Sequence, residues 1–302
     1  MNSGELKARV ARARAMMAEC RVCPRHCGVN RLAGESGKCT ITRPAMVSSY
    51  GPHFGEESPL VGRQGSGTIF FTYCNLRCIF CQNYTISQSG EGVPVTSEKL
   101  AQIMLSIQDR GCHNINLVSP SHVVPHILEA LELAASNGLY LPLVYNSGGY
   151  DSLETLSLLD GIVNIYMPDM KYADEKFAEQ LSGIKDYPRI NQAAVKEMHR
   201  QVGDLRLDEQ GIAYRGLLVR HLVLPDRLAG TEEVTRFLAR EVSAETYLNV
   251  MAQYHPCHQA FGRPQLARPV NWQEVQEAIE MAHQQGLFRL DRRQSSPLRF
   301  VI

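Results

Sequence analysis

Residues 68–83 read TIFFTYCNLRCIFCQN, and this stretch decides the fold. Three cysteines, Cys74, Cys78 and Cys81, follow an apolar run at C-x3-C-x2-C spacing. On a helix they would share one face, but a helix rises roughly 10 Å over seven residues and would spread the sulfurs along a line. Because the run before them is strand-like and Asn75 and Asn83 favour turns, we expect a wound loop that brings the three thiols together.

Three thiolates are one fewer than a [4Fe-4S] cluster normally takes, so one iron would be left without a protein ligand. Open coordination positions mark catalytic metal sites, whereas closed ones mark structural sites. The loop therefore predicts a cluster at which a substrate or cosubstrate binds. The alternative is a buried stripe of cysteines that serves only packing.

A second group of cysteines lies upstream in residues 20–39, CRVCPRHCGVNRLAGESGKC. Cys20, Cys23, Cys27 and Cys39 stand at C-x2-C-x3-C-x11-C spacing among turn-forming residues. Four thiolates suit a closed site, and zinc and a second iron–sulfur cluster are both compatible with this spacing. Free thiols in a loop are the alternative. His26 is an alternative ligand by residue type, although its position between the cysteines favours a surface role or support of a ligand.

Composition limits the classes of function. The 302-residue chain has 31 basic and 31 acidic residues, so its charge gives no reason to expect a nucleic-acid or membrane partner. No apolar run approaches the ~20 residues that span a bilayer, and residues 1–18 lack the apolar core of a secretory signal. We therefore expect a cytoplasmic protein. An odd count of nine cysteines in such a chain argues against disulfides and for metal or redox chemistry.

Strand and helix patterns alternate from residue 68 onward. Six apolar strand candidates with helices between them predict a parallel sheet covered by helices. We expect an α/β fold, a partial (β/α)6 TIM-type barrel with an N-terminal cysteine-rich extension. The expected divisions are a metal-binding extension and linker over 1–60, a barrel over 61–290 and a tail over 291–302. Asp151 with Glu154, and Asn271 with Glu274, are predicted helix caps, and residues 40–67 are predicted to be a linker.

The motif C-x3-C-x-aromatic-C, with Phe80 before the last cysteine, resembles the signature of the radical S-adenosylmethionine (SAM) superfamily. The resemblance implies a [4Fe-4S] cluster whose open iron is chelated by the amino and carboxylate groups of SAM. It is nearest to the PflX-type branch, which is similar to pyruvate formate-lyase activating enzymes. The stretches that carry it are CPRHCGVNR, LRCIFCQNY, PDMKY, RHLVLP and AQYHP.

The resemblance also implies SAM contacts at the strand ends, where chemistry collects in such folds. Asn146 and Ser147 would contact the SAM ribose and carboxylate, Asp169 and Lys171 would help to place SAM, and His255 would lie near the adenine or ribose. A simple turn explains the glycines after Ser147 equally well. A structural ion pair explains Asp169 and Lys171 equally well.

The second strand end departs from the superfamily pattern, because Ser-Pro-Ser-His at 119–122 stands where Gly-Gly-Glu often grips the SAM amino group. Ser119 and Ser121 hydroxyls could substitute, and His122 is expected to be a helix-start residue. His255, Cys257 and His258 could alternatively form a metal cluster. Cys112 is expected to serve packing.

The leading hypothesis is an enzyme that takes one electron from a flavodoxin or ferredoxin, cleaves SAM and forms a 5′-deoxyadenosyl radical. One version installs a glycyl radical on a protein partner, and another modifies a small molecule or peptide. The alternative from a different class is a non-catalytic electron-transfer or sensor protein that uses both cysteine groups.

Overall fold

A computed structural model describes residues 3–291 and has a parallel sheet at its centre. All but one residue of the expected tail at 291–302 lies outside the described residues. Within them, the strands are β1 (Ala45–His53), β2 (Ser66–Phe71), β3 (Val93–Val95), β4 (Ile115–Val118), β5 (Leu143–Ser147), β6 (Ile165–Pro168), β7 (Arg206–Leu207), β8 (Ala213–Leu222) and β9 (Tyr247–Met251).

Six of these strands form the parallel sheet that the predicted partial barrel requires. Their order is β2-β4-β5-β6-β8-β9, which is also their order along the chain, and each neighbouring pair is parallel. The strands are apolar and almost wholly buried, because helices cover one side and the barrel interior lies on the other. The α/β fold class is confirmed, and the carboxyl ends of the six strands meet at one edge.

The helices follow the predicted pattern closely. They are α1 (Ser3–Ala15), α2 (Ser58–Val61), α3 (Tyr84–Ser87), α4 (Ser97–Asp109), α5 (Val124–Ser136), α6 (Leu153–Leu159), α7 (Glu175–Ser182), α8 (Tyr187–Val202), α9 (Thr231–Phe237) and α10 (Trp272–Gln284). None of the helices between residues 3 and 291 has the length and apolar character needed to cross a bilayer.

One of the two predicted helix caps is confirmed and the other is wrong. The Asn271 side chain accepts from the backbone N–H of Glu274, whose carboxylate accepts from the Asn271 N–H, which is a complete capping box at the start of α10. Asp151 does not cap α6, since Ser152 holds the N-cap position. Asp151 is instead buried beneath the strands, where it accepts hydrogen bonds from the hydroxyls of Tyr145 and Ser147.

The segment 40–67, which we expected to be a linker, belongs to the sheet. Its strand β1 pairs antiparallel with β2 and with β3. Antiparallel pairing with β2 places His53 beside Ser66, so the chain after β1 starts at the amino end of the barrel. The glycines, prolines and serines of this segment concealed a strand that lies between β3 and β2, and its Gly51 and Pro52 lie beyond the three residues that pair with β3, where such residues are tolerated.

Candidate metal centre

The three-cysteine stretch forms a loop at the carboxyl end of β2, as predicted. No helix runs through residues 74–81, and Tyr73 turns the chain with a positive φ of 67°. Parallel pairing aligns Phe70 with Val118 and Val118 with Asn146, so the loop stands beside the ends of β4 and β5. The loop therefore occupies the edge at which the six strand ends meet.

The three thiols of this loop lie close to one another. Desolvation raises the pKa of Cys74 to about 12, and the nearby thiols of Cys78 and Cys81 add to the increase. Within residues 3–291, no three His, Cys, Asp or Glu side chains already stand as a ready metal site. The three cysteines therefore stay a predicted ligand set, which their proximity supports.

Hydroxyls and a backbone amide point at the three sulfurs. Ser182 donates to Cys78 Sγ at 3.0 Å, and the Cys81 sulfur lies 3.1 Å from the Ser87 hydroxyl. The backbone N–H of Leu76 lies 3.4 Å from Cys74 Sγ. Hydrogen bonds to sulfur stabilise thiolates and tune the potential of an iron–sulfur cluster.

The aromatic residue of the motif anchors the loop. Phe80 is buried and packs edge-on against Tyr172 and Tyr254, with ring centroids 6.3 and 5.9 Å away. The Asn75 side chain donates to the Tyr150 carbonyl at 2.7 Å. Because these partners come from the ends of different strands, the barrel itself fixes where the cysteines lie.

At the end of β5, the Ser147 hydroxyl makes its hydrogen bonds within the turn that follows the strand. Its hydroxyl donates to Asp151 at 2.6 Å and accepts from the Gly149 N–H at 3.1 Å. Gly149 has a φ of +74°, and a Cβ there would lie 2.1 Å from the Asp169 carbonyl oxygen. The turn interpretation thus accounts for Ser147 and Gly149, while neighbouring Asn146 is buried at the same strand end.

At the end of β6, Asp169 joins two cations. Its carboxylate lies 2.5 Å from Lys171 Nζ and 2.8 Å from Arg220 Nε. Burial would raise the pKa of Asp169, but Arg220 and Lys171 lower it below its ordinary value. Burial would lower the pKa of Lys171, but Asp169 and then the Cys78 thiol raise it. Lys171 is therefore a cation held beside the cysteine loop.

His255 reaches the loop from the end of β9. Its Nδ1 lies 3.2 Å from Gln82 Nε2, one residue beyond Cys81. His258, directly after Cys257, instead stacks on Tyr84 with ring centroids 4.9 Å apart. The structure thus brings Asp169, Lys171 and His255 to the edge of the sheet at which the cysteine loop lies. Cys112 is buried in the core, as expected.

The residues at 119–122 are engaged within the protein. Ser121 hydrogen-bonds to Asp151. His122 is buried just before α5, and its Nε2 lies 3.0 Å from the carbonyl oxygen of Thr72. His122 therefore ties the second strand end to the start of the cysteine loop.

Sequence reasoning missed an acidic group inside the barrel. Glu57 is 5% exposed, accepts from Asn249 Nδ2 at 2.9 Å and lies 4.0 Å from Arg220. Burial raises its pKa, and Arg220 opposes the rise. Next to it, Glu56 contacts His53 at 2.8 Å. The adjacent acids Glu56 and Glu57 are a signal of this group in the sequence, but they lie in the segment that is predicted to be a linker.

Known proteins match this chain in sequence. The family model of the Radical SAM superfamily matches residues 68–213. The uncharacterized protein MJ0674 of Methanocaldococcus jannaschii is 31% identical over 290 residues, which cover 93% of this chain and 79% of that protein. The chain belongs to the radical SAM superfamily.

Two further comparisons give more limited likenesses. The uncharacterized protein MJ0808 of the same archaeon is 26% identical over 157 residues, 46% of each chain. A radical SAM methyltransferase from Sphaerobacter thermophilus superposes with a TM-score of 0.52 at 14% identity, over 74% of this chain and 66% of that one. At this identity the likeness is one of fold.

Membership confirms that the chain is a radical SAM enzyme, and it implies a [4Fe-4S] cluster and SAM. The alternative of a non-catalytic electron-transfer protein is thereby set aside. The donor set fits the cluster, since three thiols converge in one loop at the strand ends. The PflX-type branch stays a prediction.

Proposed function

We propose that Cys74, Cys78 and Cys81 bind the [4Fe-4S] cluster of this radical SAM enzyme, and that Asn146, Ser147, Asp169, Lys171 and His255 form the SAM site. The observation that carries the proposal is the placement of the three thiols in one loop at the strand ends, beside a partly buried cation, Lys171. A cation there suits the carboxylate of SAM. When bound, such a cluster supplies one electron to SAM, which gives methionine and a 5′-deoxyadenosyl radical that takes hydrogen from the substrate.

The protein's own groups orient the cofactors and restrict water. Asp169 fixes the Lys171 ammonium at 2.5 Å, so the cation is in place before SAM arrives. Ser182 donates to Cys78 and stabilises it as a thiolate. Ser147 acts through the turn that it stabilises, since its hydroxyl is already used by Asp151 and Gly149. Asn146 has the chemistry to offer both a donor and an acceptor.

The electron would come from a flavodoxin or ferredoxin in the cytoplasm. On the resemblance to activating enzymes, a glycyl-radical protein is the first substrate to test. In that case the deoxyadenosyl radical takes one hydrogen atom from a glycine Cα of the partner, which leaves 5′-deoxyadenosine and the glycyl radical. A small molecule or a peptide is the alternative substrate. The isotope experiment distinguishes this alternative from a glycyl-radical protein.

The test of SAM cleavage is anaerobic reconstitution with iron and sulfide, followed by dithionite and SAM. We expect 5′-deoxyadenosine from the parent enzyme and from Cys112→Ala, whose buried thiol lies in the hydrophobic core away from the loop. Cys78→Ala should lose the cluster and the product together. The proposal fails if an intact cluster, seen by electron paramagnetic resonance, yields no 5′-deoxyadenosine.

The test of the substrate class uses isotope transfer. The dialysed protein fraction of cells grown on α-deuterated glycine is added to the reaction. Activation of a glycyl-radical protein predicts deuterium in the recovered 5′-deoxyadenosine. Unlabelled product with the protein fraction, together with stimulated turnover by the small-molecule fraction, would point to the alternative substrate.

A further inference from the structure

A second group of thiols surrounds a small cavity behind the cysteine loop. Four of the residues that line this cavity are the cysteines of the N-terminal array, and its other polar lining residues are Arg25, His26 and the buried Arg31 and His122. All four thiols are free of disulfides. The four thiols belong to Cys20, Cys23, Cys27 and Cys39.

The backbone is built to bring these four thiols together. Cys20 and Val29 are joined by one backbone hydrogen bond, and the Gly28 N–H donates back to the Cys20 carbonyl at 3.1 Å. Gly37 passes so close to the third thiol that a Cβ there would lie 2.6 Å from Cys27 Sγ. The next backbone N–H, of Lys38, lies 3.4 Å from the same sulfur. Amides directed at sulfur are typical of metal-bound thiolates.

The positive charge of the buried Arg31 in the cavity lining favours a negatively charged group beside it. Arg31 is 1% exposed, and its hydrogen bonds within residues 3–291 go to the carbonyl oxygens of Thr42 and His122. Its Nη2 atom has no hydrogen-bond partner among the described residues. A buried guanidinium stays charged, and burying an unpaired charge is costly. Neutral thiols would leave that cost in place, whereas metal-bound thiolates would supply negative charge beside Arg31.

The size of the cavity distinguishes the two metal centres that the spacing left open. Its volume is about 10 Å³, and roughly 10–15 Å³ is needed to hold one water molecule. A cavity of this size suits a single ion between four sulfurs better than it suits the eight-atom core of a [4Fe-4S] cluster. Four thiolates around one ion are the common arrangement of structural zinc.

We propose that Cys20, Cys23, Cys27 and Cys39 bind one zinc ion in a closed tetrahedral site that holds the cluster loop from behind. Binding releases the four thiol protons, and the resulting site carries two negative charges, of which Arg31 offsets one. The site would be structural, because it leaves zinc no open position for chemistry.

The contacts of the array show how it would act on the loop. Arg25, between two of the cysteines, donates from Nε to the Asn75 carbonyl at 2.9 Å and from Nη1 to the Gly183 carbonyl at 3.3 Å. On the other side, Thr155 donates to the Val22 carbonyl at 2.6 Å. The array therefore connects the cysteine loop to α6 and to the turn after α7.

The experiment measures zinc and iron per chain in full-length protein purified under anaerobic conditions. We expect about one zinc ion that survives chelator treatment, and its loss in Cys23→Ala. The control is Cys112→Ala, which removes a buried thiol from the core and should keep its zinc. A Cys74→Ala/Cys78→Ala/Cys81→Ala variant should lose iron and keep zinc, so the result does not depend on SAM cleavage.

Arg31 offers a second readout that a packing role alone would not produce. Arg31→Met should weaken zinc binding about 10–100-fold in competition with a chelator, while Arg31→Lys, which keeps the charge, should weaken it less. Should Cys23→Ala fail to fold, cobalt substitution of the triple variant replaces it, and the charge-transfer bands of a four-thiolate cobalt site are expected.

Three results would overturn the proposal. One is about eight irons per chain that fall to about four in Cys23→Ala, which would mean a second cubane. Another is parent protein without zinc whose four N-terminal thiols all alkylate readily. The third is a cobalt spectrum without thiolate bands.

Discussion

Replacing Asp169 with asparagine should destabilise this protein far more than the same change on its surface. The Asp169 carboxylate lies 2.5 Å from Lys171 and 2.8 Å from Arg220, and the three side chains are 10%, 16% and 19% exposed. The isosteric amide would leave two cations in the barrel without their shared anion. Removing one partner of a buried ion pair costs about 3–5 kcal/mol.

The pH dependence of this loss has a defined sign. Burial would raise the pKa of Asp169, but Arg220 and Lys171 lower it below its ordinary value. A carboxyl with a lowered folded-state pKa stabilises the protein above its unfolded pKa of about 3.9 and loses that contribution as the pH falls through the folded value. The difference between parent and Asp169→Asn should therefore be largest at neutral pH and shrink below about pH 4.

Urea unfolding followed by circular dichroism, under anaerobic conditions and in matched metal states, measures the free energy of unfolding. The matched control is Asp160→Asn, because Asp160 pairs with the exposed Arg200 at 2.7 Å and its loss should change little. Coincident transitions by a second probe would establish that one free energy describes unfolding. A loss in Asp169→Asn no larger than that of the control would refute the reasoning.

Three further outcomes follow from contacts around the site. Ser182→Ala removes the hydroxyl 3.0 Å from Cys78 Sγ, so the cluster potential in a redox titration should fall; an unchanged potential would contradict the contact. Asn271→Ala breaks the capping box of α10 and should cost about 1 kcal/mol of unfolding free energy without slowing SAM cleavage. Burial lowers the pKa of His221 to about 4, so the unfolded chain binds its proton first and stability should fall from about pH 6.5 to 4; in His221→Asn that part of the pH profile should flatten.

The predicted strands and helices were read from patterns that are local. Apolar runs of strand length and helical periodicities depend on a few neighbouring residues, so all six parallel strands and the helices between them were found. The capping box at Asn271 and Glu274 was equally local and was confirmed. Asp151 failed as a cap because the hydroxyls of Tyr145 and Ser147, from the strand just before it, donate to its carboxylate instead.

For the site residues, too, the features that depend on nearby residues were predicted and those that depend on distant residues were not. Cysteine spacing predicted the two groups of thiols, because cysteines that bind one metal stand at short, characteristic spacings in the sequence. The sequence did not show whether Asp169 and Lys171 form an ion pair, because Arg220, which also binds the Asp169 carboxylate, lies 51 residues further along the chain. The small cavity that favours zinc over a second cluster depends on four separated segments, and no spacing rule reports its volume.

The missed strand β1 changes how the barrel interior is understood. Because β1 runs antiparallel to β2, it delivers Glu57 to the amino end of the barrel, where it lies 4.0 Å from Arg220. Arg220 in turn holds Asp169, which holds Lys171 beside the cysteine loop. Charge therefore alternates along the barrel from Glu57 to Lys171. Glu57, at the amino end, thus helps to set the cation beside the cysteine loop, and a short segment that looked like a linker supports the proposed SAM site.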